Sequence, residues 1–229
     1  MYAIGYDIGS SSIKAALVEI SGGRVIARRQ EPTGTEMPID APQPGWAEQD
    51  PESWWHHVCT ATRRLLTETG IDPALVQSIG IGYQMHGLVL VDADQAVVRP
   101  AVIWCDSRAV DQGEAAFQRI GPERCLSHCL NSPGNFTAAK LKWVAENEPA
   151  AYARTHRAML PGDFIALRFT GTAGTTSGGL SEGVLWDFQI NAPARIVLDA
   201  LQLDAAKLPP VLPNPGIQGR VSAAGAAAS

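Results

Sequence analysis

The chain has 229 residues, 45% of them hydrophobic and 18% charged, with a formal net charge of −5. No apolar run approaches the roughly 20 residues that a bilayer span needs, and an acidic balance without any Lys/Arg cluster argues against nucleic acid as a partner. The opening "MYAIGYDIGSSS" has no basic segment leading into an apolar run, so the expected location is cytoplasmic. The four cysteines, Cys59, Cys105, Cys125 and Cys129, are then free thiols, which leaves a small polar molecule as the best-fitting ligand class.

The first 30 residues predict three successive strands. Ile4, Tyr6 and Ile8 alternate, residues 13–20 are apolar and β-rich, "SGG" turns the chain, and "RVIARR" alternates again. A proline-rich connector follows and reads as a long ordered loop. "DPESWWHHVCTATRRLLTETG" is the strongest helix, with Asp50 as N-cap, Pro51 at the first position, Gly70 at the end, and Trp54, Val58, Ala61 and Leu65 on one face. His56 and His57 are adjacent and point about 100° apart on a helix, so they do not share an ion.

"VQSIGIGYQMHG" predicts a strand of small residues, followed by "LVLVD", a turn at "DADQ", and "VVRPAVIWCDSR". Helices are predicted in "RAVDQGEAAFQRI", "NFTAAKLKWVAENEP" and "PARIVLDALQL", and a strand leading into a helix in "HRAMLPGDFIALRF". This alternation predicts an α/β domain whose sheet starts antiparallel and continues by crossovers. "GTAGTTSGGLSEGVLWDF" reads as a loop, because no lysine follows its glycines at phosphate-loop spacing. The tail "GRVSAAGAAAS" reads as lacking any terminating element. Cys125, His128 and Cys129 supply too few ligands for a tetrahedral metal site.

Two groups of residues could carry chemistry. In "DIGSSS", a carboxylate at a strand end precedes a glycine and three serines in a tight reversal, which can either close a plain hairpin or form an anion-binding concavity. Asp7 beside it suits a hydrated Mg²⁺ held against phosphates. In "YQMHG", a neutral histidine offers one donor and one acceptor to hydroxyl groups, and a methionine packs on C–H faces.

These segments, with "GWAEQDPESWW", "RPAVIWCDSR" and "LPGDFIALRFTG", resemble the N-terminal half of the FGGY carbohydrate kinases, a branch of the actin-like ATPase superfamily, and most closely its xylulokinases. The resemblance implies a ribonuclease H-like mixed sheet with flanking helices, forming the first lobe of a two-lobed kinase. Residues 1–222 would be the sugar-binding domain and 223–229 the start of a connection to a second lobe. ATP and Mg²⁺ are the implied cofactors. Asp7 would support the metal and phosphates, while Gly9, Ser10, Ser11 and Ser12 would line the phosphate site. Met85 and His86 would touch the ketose, with Trp104 as a wall and Asp106 as a polar edge, although Asp106 and Arg108 could instead pair with each other. The implied reaction takes D-xylulose to its 5-phosphate, with an aspartate base beyond Ser229, so the chain alone is expected to be inactive. Another ketose or polyol, such as ribulose or glycerol, is the alternative substrate, and a non-catalytic sugar-binding module the alternative function. An exposed inter-lobe face would favour a homodimer.

Overall fold

Strand β1 (Tyr2–Ile8) turns through four residues into β2 (Ile13–Glu19), and β2 into β3 (Arg24–Glu31), in the computed structural model, which describes residues 1–229. A short β4 (Glu48–Gln49) and helix α1 (Pro51–Thr69) intervene before β5 (Val76–Tyr83). The sheet order is β3-β2-β1-β5, antiparallel among the first three strands and parallel between β1 and β5. A parallel pair needs a crossover, and α1 provides it. Alternation sends Ile4, Tyr6, Ile8, Ile13, Ala15 and Leu17 to one face, where Trp54, Val58, Ala61 and Leu65 of α1 meet them. Each fully buried large side chain there contributes roughly 1.5–3 kcal/mol. Helix α1 begins as its sequence predicts: the Asp50 carboxylate accepts from Glu52 N at 3.0 Å, and Gly70 ends the helix at φ 63°.

The remaining elements extend this core and build a second one. They are β6 (Val89–Val91), β7 (Ala101–Val102), α2 (Val110–Ile120), α3 (Pro122–Cys129), α4 (Thr137–Asn147), α5 (Pro149–Arg154) and β8 (Arg157–Met159). Then come α6 (Pro161–Thr170), β9 (Thr175–Thr176), α7 (Ser177–Glu182), β10 (Trp186–Asp187), β11 (Ala192–Pro193), α8 (Arg195–Leu201), β12 (Val211–Leu212) and α9 (Ala223–Ala228). β6 pairs with β8 and lies between two cores. Val89 and Val91 face the core beneath the sheet, while Leu88 and Leu90 face a second core built from α2, α4 and α8. Burial on both faces explains an apolar run without polar alternation. No helix is long and apolar enough to cross a membrane.

Two sequence readings are corrected. The segment read as a loop, 171–188, folds into β9, α7 and β10, with the Thr176 hydroxyl accepting from Gly179 N at 3.0 Å. Its glycines serve packing: a Cβ on Gly179 would lie 3.0 Å from Thr175 Oγ1 and 3.4 Å from the Tyr83 hydroxyl. The tail read as lacking a terminating element forms α9, capped by Ser222 Oγ at 3.0 Å from Gly225 N, and Gly225 packs on the backbone of Phe169.

At the start of α6, Asp163 is buried, and its carboxylate accepts from Leu160 N at 3.3 Å. Burial pushes its carboxyl up to about 7. The folded chain therefore holds a proton that the unfolded chain releases near pH 4, and stability falls as pH rises from about 4 to about 7. Asp163→Asn keeps the acceptor and removes the charge. Denaturant unfolding at pH 5 and pH 8 is expected to show the wild type losing about 1–3 kcal/mol more than the variant over that interval. Equal losses would refute this role.

Candidate functional site

The β1–β2 turn is closed by Gly9 N donating to Ser12 O at 3.1 Å, and a Cβ on Gly9 would come within 2.9 Å of that same oxygen. Glycine is required there by space. The amides of Ser10 and Ser11 make no hydrogen bond within the chain, and so present two donors of the kind an anion-binding turn uses. The turn is braced from below. Gln49 Nε2 donates to Ser10 O at 2.6 Å and Pro38 O at 3.1 Å, Trp54 Nε1 donates to Gln49 Oε1 at 3.1 Å, and Met37 N donates to Ser11 O at 2.8 Å. Ser12 is buried and Ser11 exposed. Asp7 stands one strand-step before the turn on the exposed face, paired with Lys14 at 3.1 Å across the ladder. Its carboxylate is exposed and has Lys14 as its partner, and one such oxygen donor is compatible with a hydrated Mg²⁺.

The end of β5 lies beside this turn, because Gln84 N donates to Ile8 O at 2.8 Å. Met85 follows with 52% of its surface exposed. His86 adopts φ 59°, a left-handed conformation uncommon for a bulky residue. Its Nδ1 lies 2.9 Å from the Glu182 carbonyl, and its ring meets Phe136 edge-on at 4.2 Å between centroids. A carbonyl only accepts, so Nδ1 donates to it, and Nε2 is left free to meet a hydroxyl group.

Trp104 is half exposed, and its indole Nε1 donates to Ser10 Oγ at 3.2 Å, which joins the serine turn directly to the aromatic wall. Asp106 is different. It is fully buried, with Oδ2 accepting from Ala47 N at 2.6 Å and from Arg108 Nη2 at 2.7 Å, and Oδ1 accepting from Arg108 N and Nε. Arg108 in turn stacks over Trp46 at 3.8 Å and pairs with Glu48 at 2.7 Å. The expected polar edge at Asp106 is thus corrected: its oxygens are occupied, and it holds the segment behind Trp104 in place.

The structure therefore brings Gly9 to Ser12, Met85, His86 and Trp104 to one end of the sheet, with Asp7 at its margin. The sequence reading missed several supporting residues. Gln49 lay inside a quoted motif, with only its polarity to mark it. Phe136 and Glu182 are distant in sequence from the histidine they seat. Lys140 sits on α4 and looked like any solvent-facing helical lysine. Surface concavities of about 490 and 530 Å³ lie around Gly121 and Arg124, and over Gly5, Asp7 and Arg28; neither is lined by Met85 or His86.

A three-stranded antiparallel meander continued by a parallel strand, with a serine turn at its end, defines a lobe of the actin-like ATPase fold. A xylulose kinase structure from Rhodospirillum rubrum superimposes with a TM-score of 0.88 at 26% identity, covering 100% of this chain and 46% of that one. Residues 2–229 match the N-terminal domain of the FGGY family of carbohydrate kinases, and the chain belongs to that family. Similar curated proteins include a xylulose kinase from Escherichia coli (strain K12), 34% identical over 94% of this chain and 43% of its own length. Another, from Streptomyces rubiginosus, is 32% identical over 95% of this chain and 44% of its own length. The chain thus spans less than half the length of these relatives.

Proposed function

We propose that this chain is the sugar-reading and phosphate-holding lobe of an ATP-dependent xylulokinase that converts D-xylulose to D-xylulose 5-phosphate. The observation that carries the reading is the Trp104–Ser10 hydrogen bond, which puts the free amides of the serine turn next to the Met85–His86–Trp104 wall. Phosphoryl transfer is largely a matter of placing donor and acceptor in line, and this adjacency serves that need. His86 Nε2 accepts from a sugar hydroxyl, and Met85 and Trp104 cover the C–H face of the chain. The Ser10 and Ser11 amides hold phosphate oxygens, and Asp7 steadies the Mg²⁺ that offsets their charge. On the pattern of the FGGY family, the base that takes the hydroxyl proton is an aspartate outside these 229 residues, and Asp106, buried in its ion pair, does not serve in its place.

The test is ADP formation by the intact enzyme with D-xylulose, D-ribulose, L-ribulose and glycerol, before and after His86→Ala. Loss of one hydrogen bond and its seated ring is expected to raise KM for D-xylulose roughly 10- to 100-fold, with KM for ATP little changed. The isolated 229-residue chain is expected to turn over none of these sugars. Preferred turnover of glycerol would reject the pentulose assignment, and no turnover of any sugar would reject the kinase reading.

A further inference from the structure

Lys140 has no exposed surface, yet it ends in an amine that must find partners. Its Nζ donates to His86 O at 2.9 Å and to Ile103 O at 3.0 Å. The first carbonyl belongs to the histidine of the sugar wall, and the second immediately precedes Trp104. Burial pushes the amine down to about 8 against the pull of Asp106, so this side chain is held at a cost that an apolar residue of similar length would avoid.

Its hydrogen bonds fall where the backbone most needs fixing. His86 is in the left-handed region, and anchoring its carbonyl steadies the backbone that carries its imidazole. Leu88 and Val102, the next paired residues, exchange hydrogen bonds of 2.9 and 3.1 Å, so the ammonium closes the same two segments just beyond their last backbone bond. We propose that Lys140 is a positioning residue of the sugar site: by clamping the His86 and Ile103 carbonyls it sets the spacing and orientation of His86 and Trp104, and through them sugar affinity. This rests on the sugar-kinase reading above.

The test compares wild type, Lys140→Met, which keeps the length and deletes the donors, and Lys142→Met on the same helix as a control. Amide hydrogen exchange is read at Leu88, Val102 and Ile103, and steady-state kinetics are measured on the intact enzyme. Lys140→Met is expected to speed exchange at these three amides roughly tenfold or more, while Tyr6 and Ala15 in the β1–β2 ladder stay as in wild type. KM for D-xylulose should rise by about the same factor, with KM for ATP and kcat nearly unchanged, and Lys142→Met should do neither. Unchanged exchange at the three amides would overturn the clamp. Faster exchange with an unaltered sugar KM would overturn its link to the sugar. A wild-type enzyme inactive on every sugar would instead sink the kinase reading and this role with it. Should Lys140→Met fail to fold, Lys140→Leu, which also deletes the donors, takes its place with the same expected direction and the same overturning results.

Discussion

Asp106→Ala is expected to destabilise the protein by about 3–5 kcal/mol, the range for breaking a buried ion pair by removing one partner. The carboxylate is fully buried and takes hydrogen bonds from Ala47 N and from three nitrogens of Arg108. Removing it leaves the Arg108 guanidinium with Glu48 as its remaining anionic partner, between the rings of Trp46 and Trp143. It also removes one of the bonds between the connector at Ala47 and the segment carrying Trp104, leaving that from Ile103 N to Ala47 O. Denaturant unfolding would measure the loss, and the double variant Asp106→Leu/Arg108→Met should cost less than the sum of its single changes, because it leaves no charge stranded. A loss under about 1 kcal/mol would instead place Asp106 among ordinary surface groups.

Gly113→Ala is expected to cost roughly 1–3 kcal/mol or more and to weaken sugar binding from a distance. A Cβ on Gly113 would overlap the backbone carbonyl and nitrogen of Gly134, which itself sits at φ 38°. Backbone cannot swing aside as a side-chain tip can, so the 131–136 loop must move. That loop carries Asn135, which donates to the Asp106 carbonyl, and Phe136, which packs on the His86 ring. Kinetics should therefore show a several-fold rise in KM for D-xylulose without a matching change for ATP. Gly80→Ala is the control: nothing lies within 4 Å of its Cβ, and there the substitution should change stability by less than about 1 kcal/mol. Equal effects from the two substitutions would show that the close approach is not what matters at Gly113.

Much of the fold was legible wherever one local signal decided the outcome. Helix α1 was marked by a cap, a proline, a terminal glycine and an apolar stripe, and the first three strands by alternation and short turns. Legibility failed where the deciding partner was remote. The glycines of 177–183 look like a loop until Tyr83 and Thr137 are seen pressing on them. Ser222 caps a helix only because Phe169 offers a place to dock. At the site, residue types marked the serine turn as one of two readings, and it was the family resemblance that pointed to Met85, His86 and Trp104. Asp106 carried the same polar signal, but Ala47, 59 residues away in the chain, claims one of its oxygens. Lys140 was invisible for the opposite reason: a lysine in a helix ordinarily reaches water, and only the fold shows that this one cannot.

The placement of β6 reaches beyond packing. Its alternate side chains belong to different clusters, Val89 and Val91 to one and Leu90, with Leu88 just before the strand, to the other. A party wall of this kind cannot come down for one room only: opening either cluster strips apolar cover from the other. Heat or denaturant should therefore melt both halves in a single cooperative transition. Because the wall begins one residue after the His86–Gly87 corner, a molecule seated at that corner would brace the whole chain, raising its melting temperature as a unit and not merely quieting a local loop.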